Sequence, residues 1–124
     1  MSLQSALAHY GCIPEHVPTV TSVTTGRPET LDTPFGSYQY RHLHRRLFFG
    51  YRPAFVGGNA TVFLAEPEKA LLDLIHLTPR GDTIAFLEKL RLENTEIIDG
   101  RRILGLAERT GSARLMRTAQ NVAR

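Results

Sequence analysis

Apolar positions along the chain change their spacing near residue 65. Upstream, β-branched and aromatic residues stand between turns marked by glycine and proline. Downstream, leucine, isoleucine and alanine recur every three or four positions. Strands over 19–65 followed by helices over 66–124 predict an α+β fold in a single domain, 1–124. Its expected parts are a short opening helix, an antiparallel β-sheet in the N-terminal half, and a C-terminal set of about four α-helices.

Local signals place the elements. Leu3, Ala6, Leu7 and Tyr10 form one helical stripe, with Ser2 as its N-cap and Gly11 as its stop. Pro14 and Pro18 then keep the chain extended. Thr19–Thr25 is almost wholly β-branched and reads as a strand, Glu29–Thr33 as a second, and Ser37–Leu43, which alternates in polarity, as a third. Turns at Gly26-Arg27-Pro28 and Pro34-Phe35-Gly36 connect these three into an expected antiparallel meander. Phe48–Val56 and Asn59–Ala65 flank Gly57-Gly58 as a hairpin, and Pro53 points to an edge position. Pro67 suits a first helical turn, with Glu66 and Glu68 complementing the helix dipole and Pro79 closing the element. Ala70, Leu71, Leu74, Ile75 and Thr78 would line one side of it. Asp82 is the expected cap of a helix bearing Ile84, Leu87 and Leu90. Asp99 opens another with Ile103, Leu106 and Ala107, ended by Gly111, and Ser112 caps a last one with Leu115, Met116, Ala119 and Val122.

A length of 124 residues leaves room for one core and no need for a disulfide or metal staple. The lone Cys12 cannot form an internal bridge, no apolar run approaches a membrane span, and the start lacks the charge pattern of a signal peptide. A cytoplasmic protein is expected. The net charge of +3 is unevenly placed: +2 over residues 1–65, −4 over 66–100 and +5 over 101–124. Of the 15 cationic side chains, 13 are arginine, which favours bidentate contacts to carboxylates or phosphates.

His42 and His44 could present two imidazoles on one strand face, yet no third metal ligand accompanies them, and an exposed basic strand end is the simpler reading. Glu66, Glu68, Lys69 and Asp73 have the acidic-plus-lysine content of metal-dependent nucleases. Helix-dipole complementation by the two glutamates and a helix-surface pair between Lys69 and Asp73 explain them without catalysis. Cys12 near His9 and His16 lacks the rigid support of a nucleophile–base pair. Gly57-Gly58 is not followed by a phosphate-cradling sequence. No catalytic residue, metal or cofactor is therefore expected. Two arginine-rich places remain. Arg41, Arg45, Arg46 and Arg52, interleaved with Tyr38, Tyr40, Phe48, Phe49 and Tyr51, form one candidate surface. Arg114 and Arg117, one helical turn apart, form a second.

The order of segments adds a resemblance. Ser2–Gly11, Ile13-Pro14-Glu15, Thr21–Thr25, Thr33-Pro34-Phe35-Gly36, Tyr40-Arg41-His42, Leu47–Tyr51 and Glu66–Asp73 make a series that resembles the effector domain of the AbiEi-type antitoxins. These belong to type IV toxin–antitoxin (abortive infection) systems and are also described as predicted transcriptional regulators. The resemblance implies a non-enzymatic effector domain that counters a nucleotidyltransferase-like toxin, without the stable complex of type II systems. Family members usually carry an N-terminal winged helix-turn-helix that binds the operon promoter; the present series begins at the segment that follows it. A nucleic-acid-binding module acting through the arginine-rich patches is the alternative expectation, and a metal-dependent nuclease on Glu66, Glu68, Lys69 and Asp73 a remote one.

Overall fold

The computed structural model describes residues 1–14, 19–34, 36–55 and 61–123. Among these, α1 (Leu3–His9) precedes the strands β1 (Thr19–Thr24), β2 (Glu29–Thr33), β3 (Gly36–His42), β4 (Tyr51–Phe55) and β5 (Thr61–Ala65). The helices α2 (Pro67–Leu77), α3 (Ile84–Leu90), α4 (Gly100–Thr110) and α5 (Ala113–Val122) follow. The α+β class, with strands in the N-terminal half and helices in the C-terminal half, is as the hydrophobic spacing predicts.

The strands, however, do not form one antiparallel meander. β1 pairs in parallel with β3, and β2 lies antiparallel on the other side of β3, giving the order β1-β3-β2. Helix α1 lies along the remaining edge of β1. Ser2 N–H donates to Thr21 O, Thr21 N–H to the Ser5 hydroxyl, and that hydroxyl to Thr19 O. One edge of β1 is thus taken by helix α1 and the other by β3, while β2, which a meander would set beside β1, pairs only with β3. β4 and β5 form a separate two-stranded antiparallel sheet, with Tyr51 opposite Ala65 and Phe55 opposite Thr61. Its turn at Gly57-Gly58 lies outside the described residues. Pro53 fits a strand with a free edge. The two sheets part at the segment between β3 and β4, where a 3₁₀ turn at Arg45–Leu47 and the left-handed Gly50 (φ +84°) break extended geometry.

α2 is the central element. Glu68 through Ile75 are all buried, because α1, β5, α4 and α5 each pack on it. Leu3, Ala6 and Leu7 of α1, Ile103, Leu106 and Ala107 of α4, and Leu115 and Ala119 of α5 complete the core around it. The expected one-sided stripe therefore underestimates α2. Its polar line, Lys69–Asp73, is roofed by the chain at Leu47–Tyr51 instead of meeting water.

Capping follows local chemistry with two exceptions. Asp99 accepts from the Arg101 and Arg102 amides, Ser112 accepts from the Leu115 amide, and Gly111 ends α4 at φ +72°. At α3 the cap is Thr83, which accepts from the Phe86 amide, while Asp82 turns away to pair with Arg114. Ile84, expected on the apolar stripe of α3, is 68% exposed; Leu87 and Leu90 are half-buried. Ser2 flanks α1 but makes no side-chain cap, and α1 ends at Tyr10 with Gly11 beyond it at φ +76°.

Candidate functional site

The most concentrated chemistry is a buried polar cluster under the Leu47–Tyr51 roof. Lys69 is 1% exposed and Asp73 3%, and they form an ion pair one helical turn apart. Lys69 Nζ also donates to Leu47 O at 2.6 Å. The Tyr51 hydroxyl donates to Asp73 Oδ2 at 2.5 Å, and the Ser2 hydroxyl reaches the same oxygen at 3.5 Å. Two aromatic rings complete the shell: Lys69 Nζ lies 4.7 Å from the centre of Phe49 and 5.3 Å from that of Tyr51, and the Arg109 guanidinium stands 4.1 Å from Phe49. Burial pushes the Asp73 carboxyl up and the Lys69 amine down, and each one's charge opposes the other's shift. Burial, and the charge of Asp73 beside it, push the Tyr51 phenol up, so its proton stays in the bond to Asp73. These residues were expected to form a helix-surface pair. The charged ends are inside because the roof segment covers the one polar line of α2.

Gly50 makes that roof fit. At φ +84° it occupies backbone space open to glycine, and a β-carbon there would meet Lys69 Cγ at 2.8 Å and Cβ at 2.9 Å. The chain thus passes directly against the lysine stem.

A second polar knot closes the N-terminal end of α2. Glu66, 5% exposed, accepts from Arg52 Nε at 2.8 Å and from Arg102 Nε and Nη2 at 3.0 and 2.8 Å. Burial works against its ionisation, but the bonds from Arg102 and Arg52 outweigh it and hold Glu66 below the usual carboxylate range. Glu68, also buried, accepts from the Asp99 amide at 3.3 Å, tying α2 to the start of α4. Burial pushes its carboxyl up, only partly offset by that bond. The two glutamates were expected to serve the helix dipole; they act as tertiary links. The four candidate nuclease residues divide accordingly. Glu66 and Asp73 are two helical turns apart, roughly 10 Å along the axis, each with its own cations or hydroxyls. Among the described residues no group of three His, Cys, Asp or Glu could hold a metal ion.

The six candidate arginines are distributed unevenly. Arg41 donates to Leu77 O at 2.9 Å, and Arg114 to Thr78 O at 3.1 Å while pairing with Asp82 at 3.3 Å. Both stand at the C-terminal end of α2, where cations favour the helix dipole. Arg52 is at the opposite end with Glu66, about 16 Å away along an eleven-residue helix. Arg41 and Arg52 are therefore not neighbours. Arg45, Arg46 and Arg117 are exposed, and their side chains make no ion pair or hydrogen bond among the described residues.

The remaining candidates sit as follows. The His42 ring pairs with Gly26 O at 2.9 Å, and His44 Nδ1 accepts from the Arg46 amide at 3.2 Å as the cap of the 3₁₀ turn. Cys12 is buried, which pushes its thiol up, and its carbonyl accepts from the Glu93 amide. His9 is exposed and meets Tyr10 edge-on, and His16 lies outside the described residues. No helix among the described residues is long and apolar enough to cross a membrane.

Comparison with protein-family models, with curated proteins and with solved structures returned no match. The polar cluster was missed from sequence because its lysine and aspartate have ordinary i,i+4 spacing. The available signal was that Asp73 interrupts, and Lys69 directly precedes, the apolar run Ala70-Leu71-Leu72 and Leu74-Ile75.

Proposed function

We propose that this chain is a non-enzymatic effector domain of the AbiEi antitoxin type, which counters a nucleotidyltransferase-like toxin. The observation that carries this reading is the convergence of three of the seven segments of its motif series on one buried unit. Ser2 comes from the first segment, Leu47, Phe49, Gly50 and Tyr51 from the sixth, and Lys69 and Asp73 from the last. All meet in the cluster under the roof. Tyr10, which closes the first segment's helix, donates to Ala65 O beside it, and Arg41 ties β3 to the end of α2. Segments seventy residues apart thus share one physical purpose, to hold α1, β4 and α2 together.

The polar groups of this unit satisfy one another. Asp73 is matched by Lys69 and Tyr51, Glu66 by Arg52 and Arg102, and Glu68 by the Asp99 amide. The surface is left to act through contact. The test is rescue in a bacterial host: the nucleotidyltransferase-like gene neighbouring this chain's gene is induced with and without the chain. Rescue of growth is expected. Continued toxicity with the chain soluble and abundant would refute the reading.

A second reading, binding of nucleic acid through arginine-rich surface, is favoured by the unpaired state of Arg45, Arg46 and Arg117. Charges held by no intramolecular carboxylate are available to phosphate. Affinity that falls steeply with salt is expected on this reading; affinity indifferent to salt would remove it.

A further inference from the structure

Between the two sheets lies a groove of about 360 Å³ whose walls are aromatic. Val23 and Tyr40 come from the three-stranded sheet, Phe63 from β5, and Phe48 and Tyr51 from the roof segment and the start of β4. The rings are presented, not packed away: Phe48 is 41% exposed and Phe63 66%. Phe48 stacks on Tyr51 with ring centres 4.6 Å apart and planes inclined by 31°. Two large apolar side chains left open at one groove are a binding feature, since scattered exposure would not line a common cavity.

The charges around the groove indicate what it takes. Among the described residues no carboxylate lines it. Asp73 lies beneath it, matched by Lys69 and by the hydroxyls of Ser2 and Tyr51, which are themselves part of the lining. Arg45 and Arg46 belong to the 3₁₀ turn that runs directly into Phe48, and two residues of chain place the Arg46 and Phe48 backbones within about 7 Å. Both guanidiniums are unpaired among the described residues. Open aromatic faces with hydroxyls in the lining, and unpaired arginines on the turn that adjoins it, are the combination that stacks bases and grips the phosphates between them. A volume at the small end of ligand pockets has room for an inserted base, which a paired duplex does not offer.

We propose that this groove binds single-stranded nucleic acid, with a base stacked against Phe48 and Phe63 and the flanking phosphates held by Arg45 and Arg46. The proposal rests on the nucleic-acid reading above and gives it a place and a strand type.

The test uses the full chain and fluorescein-labelled twelve-nucleotide oligo-dT and oligo-rU, followed by fluorescence anisotropy. Two phosphate contacts give a log–log salt slope of about −1.4, hence roughly a sevenfold loss of affinity between 50 and 200 mM salt. Loss of one stacking ring in Phe48→Ala or Phe63→Ala weakens binding by about fivefold or more with that slope unchanged. Arg46→Ala lowers the slope by about 0.7. Both rings are solvent-exposed, and circular dichroism checks that the variants keep their fold. A duplex of the same length is expected to compete poorly, and the two oligonucleotides distinguish DNA from RNA as the source of the strand. Binding that ignores both phenylalanine substitutions, or a duplex that binds better than either single strand, overturns the groove while leaving the basic-surface reading in place. No binding to any oligonucleotide at 50 mM salt overturns both.

Discussion

Replacing Lys69 by methionine keeps the length of the stem and removes only the charge and its donors. Asp73 is then a carboxylate 3% exposed with no cation, retaining bonds from Tyr51 and Ser2. Breaking one side of a buried pair costs about 3–5 kcal/mol. Domains of this kind are stable by roughly 5–15 kcal/mol, so a large share of the total is at stake. With an unfolding entropy of about 2.1 cal/mol/K per residue, the same loss lowers Tm by roughly 12–19 °C. Because the chain has no tryptophan, urea unfolding is best followed by far-UV circular dichroism. In Lys69→Met, Asp73 has lost the charge that opposes its raised pKa, so the folded state binds its proton more readily than the unfolded chain. Stability must therefore rise as pH is lowered toward the unfolded aspartate value of about 3.9. Adding Asp73→Asn, which keeps an acceptor for Tyr51 but no charge, should restore about 2 kcal/mol or more of what the single change lost. A cost below about 1 kcal/mol that does not vary with pH, or two substitutions that simply add, would show that the pair is not the buried, mutually dependent unit described above.

Gly50→Ala should destabilise by about 2 kcal/mol or more, since it combines a φ of +84° with a contact of 2.8 Å to Lys69; urea midpoints of the purified variant measure it. The opposite sign is expected for Gly105→Ala in α4, where a β-carbon meets nothing within 4 Å, and a gain of roughly 0.5–1 kcal/mol should appear as a higher Tm. Asp99→Ala removes the side chain that caps two amides of α4 and should cost about 1 kcal/mol in the same assay. Glu66→Gln loses its ion pairs with Arg52 and Arg102. Because Glu66 sits below its unfolded value, wild type should exceed the variant in stability at pH 7, and the gap should close as pH falls through 4. A gap constant down to pH 3 would contradict the assignment.

The sequence by itself determined what depends on near neighbours. The change from strands to helices follows from spacing within each segment. Pro67 opens α2, Asp99 and Ser112 cap α4 and α5, and Gly111 ends α4, because each acts on backbone groups no more than a turn away. Where two local signals competed, as at Asp82 and Thr83, the choice passed to a distant partner, Arg114. The resemblance of the motif series was legible as an order of segments, but not the cluster in which three of them meet. Tertiary structure alone decided the parallel pairing of β1 with β3 and the seat of α1 on the other edge of β1, since both rest on contacts 14 or more residues apart in sequence. It also decided that Lys69 and Asp73 are interior and that Arg41 and Arg52 face different ends of one helix. An i,i+4 pair looks the same in sequence whether water or a tyrosine lies over it. Only the passage of Leu47–Tyr51 across α2, more than twenty residues away in sequence, makes the difference.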